Sequence, residues 1–174
     1  MHSFEKKNVA AIGEALDIAE DVTAGFYKFS AEQWKRHRYD VKTLQSLRKD
    51  EISEYAFALL NKVPRVTNGH ESRGRGQDFY FICLQDHHIM RALKRDRELD
   101  FIPLLVYVFT HELVHIVRFC NFYQRFEVSD KYREKEEQIV HNETYNILMS
   151  LSLPKIDYVL KAYERHRLFD MVGS

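Results

Sequence analysis

The stretch from Asp100 to Tyr123, DFIPLLVYVFTHELVHIVRFCNFY, constrains this chain more than any other. Leu104, Leu105, Val106, Val108, Phe109, Leu113, Val114, Ile116, Val117 and Phe119 would surround a helix instead of lining one side of it, and a helix that is apolar all round has to be buried. Pro103 suits a first helical turn, Asp100 stands ahead of it as a cap, and neither Gly nor Pro interrupts the run to Tyr123. The expectation is a domain built round a central helix over 100–123. Its longest unbroken apolar run, Phe101 to Phe109, is about half of what a membrane span requires. The helix then continues into His, Glu and Arg, so no membrane is expected.

Within this helix His111-Glu112-Leu113-Val114-His115 reads H-E-x-x-H. Residues four apart on a helix lie almost above one another, so His111 and His115 can offer two imidazole nitrogens to one metal ion. Glu112 stands about 100° round from His111, close enough to address a water on that metal. Uncompensated polar groups on a buried helix are costly, and a divalent cation compensates these.

A second constellation lies downstream in RFEVSDKYREKEEQIVHNETYNILMSLSLP. Ser129 or Asp130 can cap a helix expected over 130–152, which stops before Pro154. On a wheel centred at Glu137, the residues Val140, His141, Thr144, Leu148 and Leu151 fall within about 60° of it. Glu137 and His141 therefore face inward, with Glu134 near the same stripe. Glu136 and Glu143 point about 100° or more away, toward solvent or a neighbour, and Glu136→Ala is expected to disturb an inward site little. A carboxylate in a Val/Leu stripe calls for a cation, or else for a bond to the histidine one turn along.

Bulk numbers narrow the classes. A chain of 174 residues, 45% hydrophobic, is sized for one well-buried domain. Lys plus Arg and Asp plus Glu number 26 each, so no global field draws the chain to nucleic acid or an anionic membrane, and the local cluster Lys35, Arg36, His37, Arg38 reads as a solvated helix face. Cys83 and Cys120 fall in apolar runs, form no C-x-x-C pair, and read as buried free thiols of a reducing compartment. The N-terminal stretch carries acidic residues where a secretory signal needs an unbroken apolar run, so the expected location is cytoplasmic.

Residues 1–64 read as a helical scaffold. Val9, Ile12, Leu16, Ala19 and Val22 recur at spacings of three and four within a helix from Phe4 to about Ala24, which Gly25 is placed to end. Ser30 with Gln33 forms a capping box opening a short helix through Trp34. After Asp50, the residues Ile52, Tyr55, Ala56, Leu59 and Leu60 make a helical stripe that ends near Pro64. Residues 65–86 read as loop and strand. TNGHESRGRGQ is a loop, Asp78 to Leu84 (DFYFICL) the strongest strand, and Arg65 to Thr67 a short preceding one. His87 and His88 open a charged helix on different faces, which favours a loop or capping role over chelation. Ile156, Val159, Leu160 and Tyr163 mark a packing helix over 155–172.

His111, Glu112, His115 and the apolar helix around them resemble the zincin metallopeptidases, and a glutamate from a later helix, Glu137, is similar to the third ligand of the gluzincin branch. The resemblance spans Phe101 to Leu151 and departs at His141, where that branch places an aspartate bonded to a ligand histidine. The metzincin branch is excluded, because its third histidine would fall at Asn121 and its glycine at Arg118. The resemblance implies an α+β fold, predominantly α, with a zincin-like core, a small sheet and a buried metal-bearing helix. It implies one Zn²⁺ held by His111, His115 and Glu137, and a peptide or protein substrate whose carbonyl is attacked by a metal-bound water that Glu112 activates.

Several roles stay open within that reading. His141 is a catalytic donor, a support for another ligand, or itself the third ligand, and Tyr132, His141 and Tyr145 are the candidates to stabilise an oxyanion. The sheet edge beside the metal helix in zincins makes Asp78 to Leu84 a candidate substrate edge. Two rivals stand beside the peptidase. A ferritin-like di-iron protein would use Glu112-x-x-His115, but a second such pair is missing because Gln138 lies three residues before His141. The other is a non-catalytic module whose metal staples helices together.

Overall fold

Three strands and six helices form the described part of the chain, residues 2–63, 79–121 and 130–164 of a computed structural model. In chain order these are α1 (Val9–Tyr27), α2 (Ala31–Arg36), β1 (Arg38–Lys42), β2 (Ala58–Val63), β3 (Phe79–Leu84), α3 (Asp86–Arg95), α4 (Phe101–Cys120), α5 (Asp130–Leu148) and α6 (Ile156–Ala162). The protein is α+β, mostly helical, with one small mixed sheet.

The helix α4 is the axis of the core, as its sequence requires. Every residue from Pro103 to Thr110 and from Glu112 to Arg118 is buried. By length and composition α4 could cross a membrane, yet 83% of its most apolar window is covered by the rest of the domain. One neighbour, α1, packs along it with Ala15 and Ala19 both 0% exposed. Small residues at those two positions let the helices approach closely.

The end of α1 differs from expectation. Gly25 lies inside the helix, and the left-handed closing residue is Lys28, with φ of 53°. Its N–H and that of Phe29 both return to the Ala24 carbonyl. A left-handed non-glycine residue costs about 1–2 kcal/mol. The turn delivers Phe29 into the core against Trp34, ring centroids 4.5 Å apart, and that burial offsets the strain. The expected capping box is present: Gln33 N–H donates to Ser30 Oγ and Ser30 N–H to Gln33 Oε1.

Residues 1–64 are not an all-helical scaffold. Arg38, expected on a solvated helix face, opens β1, and the stripe from Ile52 to Leu60 does not form a helix. A single 3₁₀ turn at Lys49–Glu51 is followed by irregular, bent chain and then β2. Its ALLNKV has no strong strand preference of its own; pairing with β3, Leu60 opposite Ile82, decides its state. β3 forms where DFYFICL is expected to, but the strand order is β1-β3-β2, parallel on one side and antiparallel on the other. A central strand has both rows of backbone groups in use, so β3 is not a substrate edge.

Two buried polar side chains hold the irregular connections. Asp86, at the start of α3, accepts from the N–H groups of Phe4 at 2.8 Å and Leu44 at 3.0 Å. Gln85 is 0% exposed and binds Ser53 N–H, the Glu51 carbonyl and the Cys83 carbonyl. Among the helices, α5 ends at Leu148, short of the expected 152, and α6 ends at Ala162, short of the expected 172, with Ile156, Val159 and Leu160 buried along it and Tyr163 buried just past its end. The expected loop over 66–77, the short strand Arg65 to Thr67, the cap at Ser129 and the tail beyond 164 lie outside the described residues.

Glu51, read from sequence as part of a helix, is 2% exposed and accepts from Arg48 N–H and from Lys42 Nζ, each at 2.9 Å, and from Asn61 at 3.3 Å. The Arg48 backbone N–H first, and then the Lys42 ammonium, hold its carboxyl below the ordinary carboxylate range. A lowered folded pKa contributes stability above the unfolded value of about 4.3, which is lost as pH falls through the folded value. Wild type and Glu51→Gln should therefore differ most in urea midpoint near neutrality and converge below about pH 4. A gap that stays constant across that range would show that the ionised carboxylate is not what holds the turn.

Candidate metal centre

The candidate site lies where α4 and α5 face each other. On α4, Tyr107, His111, His115 and Arg118 follow at intervals of four, four and three, so one stripe of an otherwise apolar helix is polar. On α5 the inward residues are Glu136, Val140, His141, Thr144 and Leu148, all buried, with Glu137 beside them.

Glu137 is the hub. One carboxylate oxygen lies 2.9 Å from His115 Nε2 and the other 3.3 Å from His111 Nε2. His111, Glu137 and His141 each offer a ligand atom within 4.8 Å of the other two, and the His111 and His141 rings lie 4.6 Å apart. Four residues separated by up to thirty positions thus meet at this seam, two from each helix. That trio contains His141 and not His115, which joins the cluster through Glu137. Burial pushes the Glu137 carboxyl upward, but His115 and then His111 outweigh it and leave it well below the ordinary carboxylate range. A carboxylate set among imidazole nitrogens is the donor chemistry of a borderline divalent cation such as Zn²⁺.

Glu112 sits on the same helix, 7% exposed, and burial drives its carboxyl above the ordinary range against the pull of His111 and His115. A carboxylate with a raised pKa is the better proton acceptor. Ring contacts link the site to the sheet: His115 is near-parallel to Phe119 at 6.2 Å, and Phe119 to Tyr80 of β3 at 6.1 Å. The Nδ1 of His111 is buried and has no hydrogen-bond partner among the described residues.

The proposed oxyanion donors are not equally placed. Tyr132 is 67% exposed, and Tyr145, 37% exposed, lines a groove with Leu148, Leu153, Ile156 and Leu160. Glu134 is exposed. A tyrosine that the sequence reading missed stands at the site: Tyr107, 8% exposed, has its hydroxyl 3.5 Å from His141 Nδ1. The signal was its position one turn before His111. Glu136, expected on the outer face, is 8% exposed and paired with Arg118, so its substitution is not a neutral control. His87 and His88 lie in contact with each other at the start of α3, 4.0 Å between rings, and His88 Nε2 meets the Ser53 carbonyl at 2.9 Å.

Comparison with protein-family models, curated proteins and solved structures gives no match, so the geometry carries the functional argument.

Glu137→Ala should remove the shared acceptor of two largely buried imidazoles. Leaving a buried polar group unsatisfied costs about 1–3 kcal/mol. Urea unfolding with a chelator present, so that no cation contributes, should show a loss of that size. An unchanged midpoint would mean that Glu137 does not bridge the histidines in solution.

Proposed function

We propose that this protein is a zinc-dependent metallopeptidase-like hydrolase, with His111, His115 and Glu137 as metal donors and Glu112 as general base. The observation that carries the reading is the placement of the Glu137 carboxylate within hydrogen-bonding distance of both motif histidines. An inward glutamate and the paired histidines come from separate helices, and only their convergence makes a three-donor set. When bound, Zn²⁺ supplies Lewis-acid activation of a water at a site with an open position.

The chain's own residues divide the remaining work. Glu112 takes a proton from the attacking water and can return it to the leaving amine. His141, whose Nδ1 lies 3.5 Å from the Tyr107 hydroxyl and which clusters with His111 and Glu137, donates to the developing oxyanion. An extended peptide would pair with the outer side of β2, a strand that packs on α4 and has no partner on that side among the described residues. The resemblance to gluzincins enters here as support for peptide as the substrate class. Cys83, buried, and Cys120, half-buried, form no disulfide, which suits a reducing compartment such as the cytoplasm.

One observation favours a second reading, the non-catalytic staple: His141 groups with His111 and Glu137 while His115 contacts Glu137, so the seam holds four potential donors, and four protein ligands are the mark of a closed structural site. The mixed sheet weighs against a di-iron bundle. Metal analysis of the purified protein should give one zinc per chain, lost in His111→Ala and His115→Ala. Glu112→Gln should keep the zinc and the melting temperature while peptide hydrolysis falls by about 10²–10⁴-fold. Full zinc occupancy with no cleavage of a broad peptide library by wild type would establish the staple instead.

A further inference from the structure

We propose that the buried Arg118–Glu136 ion pair is a positioning device that sets the register of α5 against α4 and so brings Glu137 to the metal. This rests on the reading of Glu137 as a donor. Arg118 is one turn beyond His115 on α4, and Glu136 is the residue before Glu137 on α5. Their side chains are each 11% exposed. The guanidinium engages the carboxylate through two nitrogens, Nε to Oε1 and Nη2 to Oε2 at 3.1 Å, while Nη1 lies 3.5 Å from Glu143 Oε1.

Stability alone does not call for such a pair. Desolvating both charges costs about as much as their attraction returns, and an apolar pair of similar volume commonly does as well or better. What an apolar pair lacks is direction. Val140, Leu148 and the other apolar residues of α5 allow small slides and rotations at little cost, whereas a forked guanidinium accepts a carboxylate in one geometry. Metal donors tolerate displacement of only about 0.2 Å. Glu137 follows Glu136 by one residue, about 1.5 Å of rise and 100° of turn on a stiff helix, so fixing Glu136 fixes Glu137.

Glu143 makes the choice of partner consequential. It lies two turns beyond Glu136 on α5 and already faces the same guanidinium, with its other oxygen buried and unpartnered among the described residues. If Glu136 is removed, Arg118 can turn to Glu143, and α5 is then held from a different point.

The test uses the full chain, with zinc affinity measured by competition against a chelating dye and the visible spectrum of the Co²⁺-loaded protein as a direct view of the ligand field. Arg118→Met with Glu136→Leu removes both charges at once. Chelator-treated protein should melt at or above the wild-type temperature, while zinc affinity drops by about 10–100-fold and the Co²⁺ bands shift. Affinity and spectrum equal to wild type would overturn the proposal. If the double variant does not fold, Glu136→Gln decides in the same two assays: a tenfold or greater loss supports positioning, and wild-type values refute it. Wild type that binds neither cation overturns the donor reading of Glu137 itself, a separate result from wild type and variant binding alike.

Discussion

A carboxylate shared between two imidazoles, inside a wall of valine and leucine, is the interaction on which the arrangement of this molecule depends. α4 is apolar enough to be buried without help, yet it carries Glu112, His115 and Arg118 into the interior, with His111 half-buried beside them. Each would be costly alone. α5 answers them with Glu137, His141 and Glu136, so that two helices with mismatched surfaces become complementary only when brought together. The remaining elements serve this pairing: α1 covers α4, the sheet closes another side, and α6 packs beside the end of α5.

The two polar contacts at the α4–α5 seam differ in kind. Glu137 meets histidines, which can exchange protons for a cation. Glu136 meets an arginine, which cannot lose its charge. Adjacent residues on one helix thus divide chemistry from fixation.

Much of this was legible because burial leaves a compositional trace. The all-round apolar run predicts α4, the capping box fixes the start of α2, and the aromatic, β-branched DFYFICL marks β3. The inward stripe at Glu137, Val140, His141, Thr144 and Leu148 follows from the helical wheel alone. Where the state depended on a distant partner, sequence failed. β2 looks helical until β3 pairs with it, and β1 hides in a basic cluster whose register is set by residues 41 positions away, Arg38 against Phe79. Glu136 and Tyr107 were missed for a similar reason. A wheel shows which way a side chain points but not that an arginine or a histidine waits there on another helix.

The order of the sheet has a consequence for how the chain is made. Of the described strands β3 is the last in sequence and the middle one in space, flanked by two strands that do not pair with each other. During synthesis β1 and β2 emerge as extended segments without a mate, and neither can be satisfied by the other. The parallel β1–β3 pairing also has to wait for the intervening stretch of chain, 43–78, to be made and its ends brought together, an entropic debt that short-range helices do not carry. A nascent or truncated chain that stops before Phe79 would expose both segments to whatever strand edge is nearby, and intermolecular association would compete with folding until β3 arrives to part them.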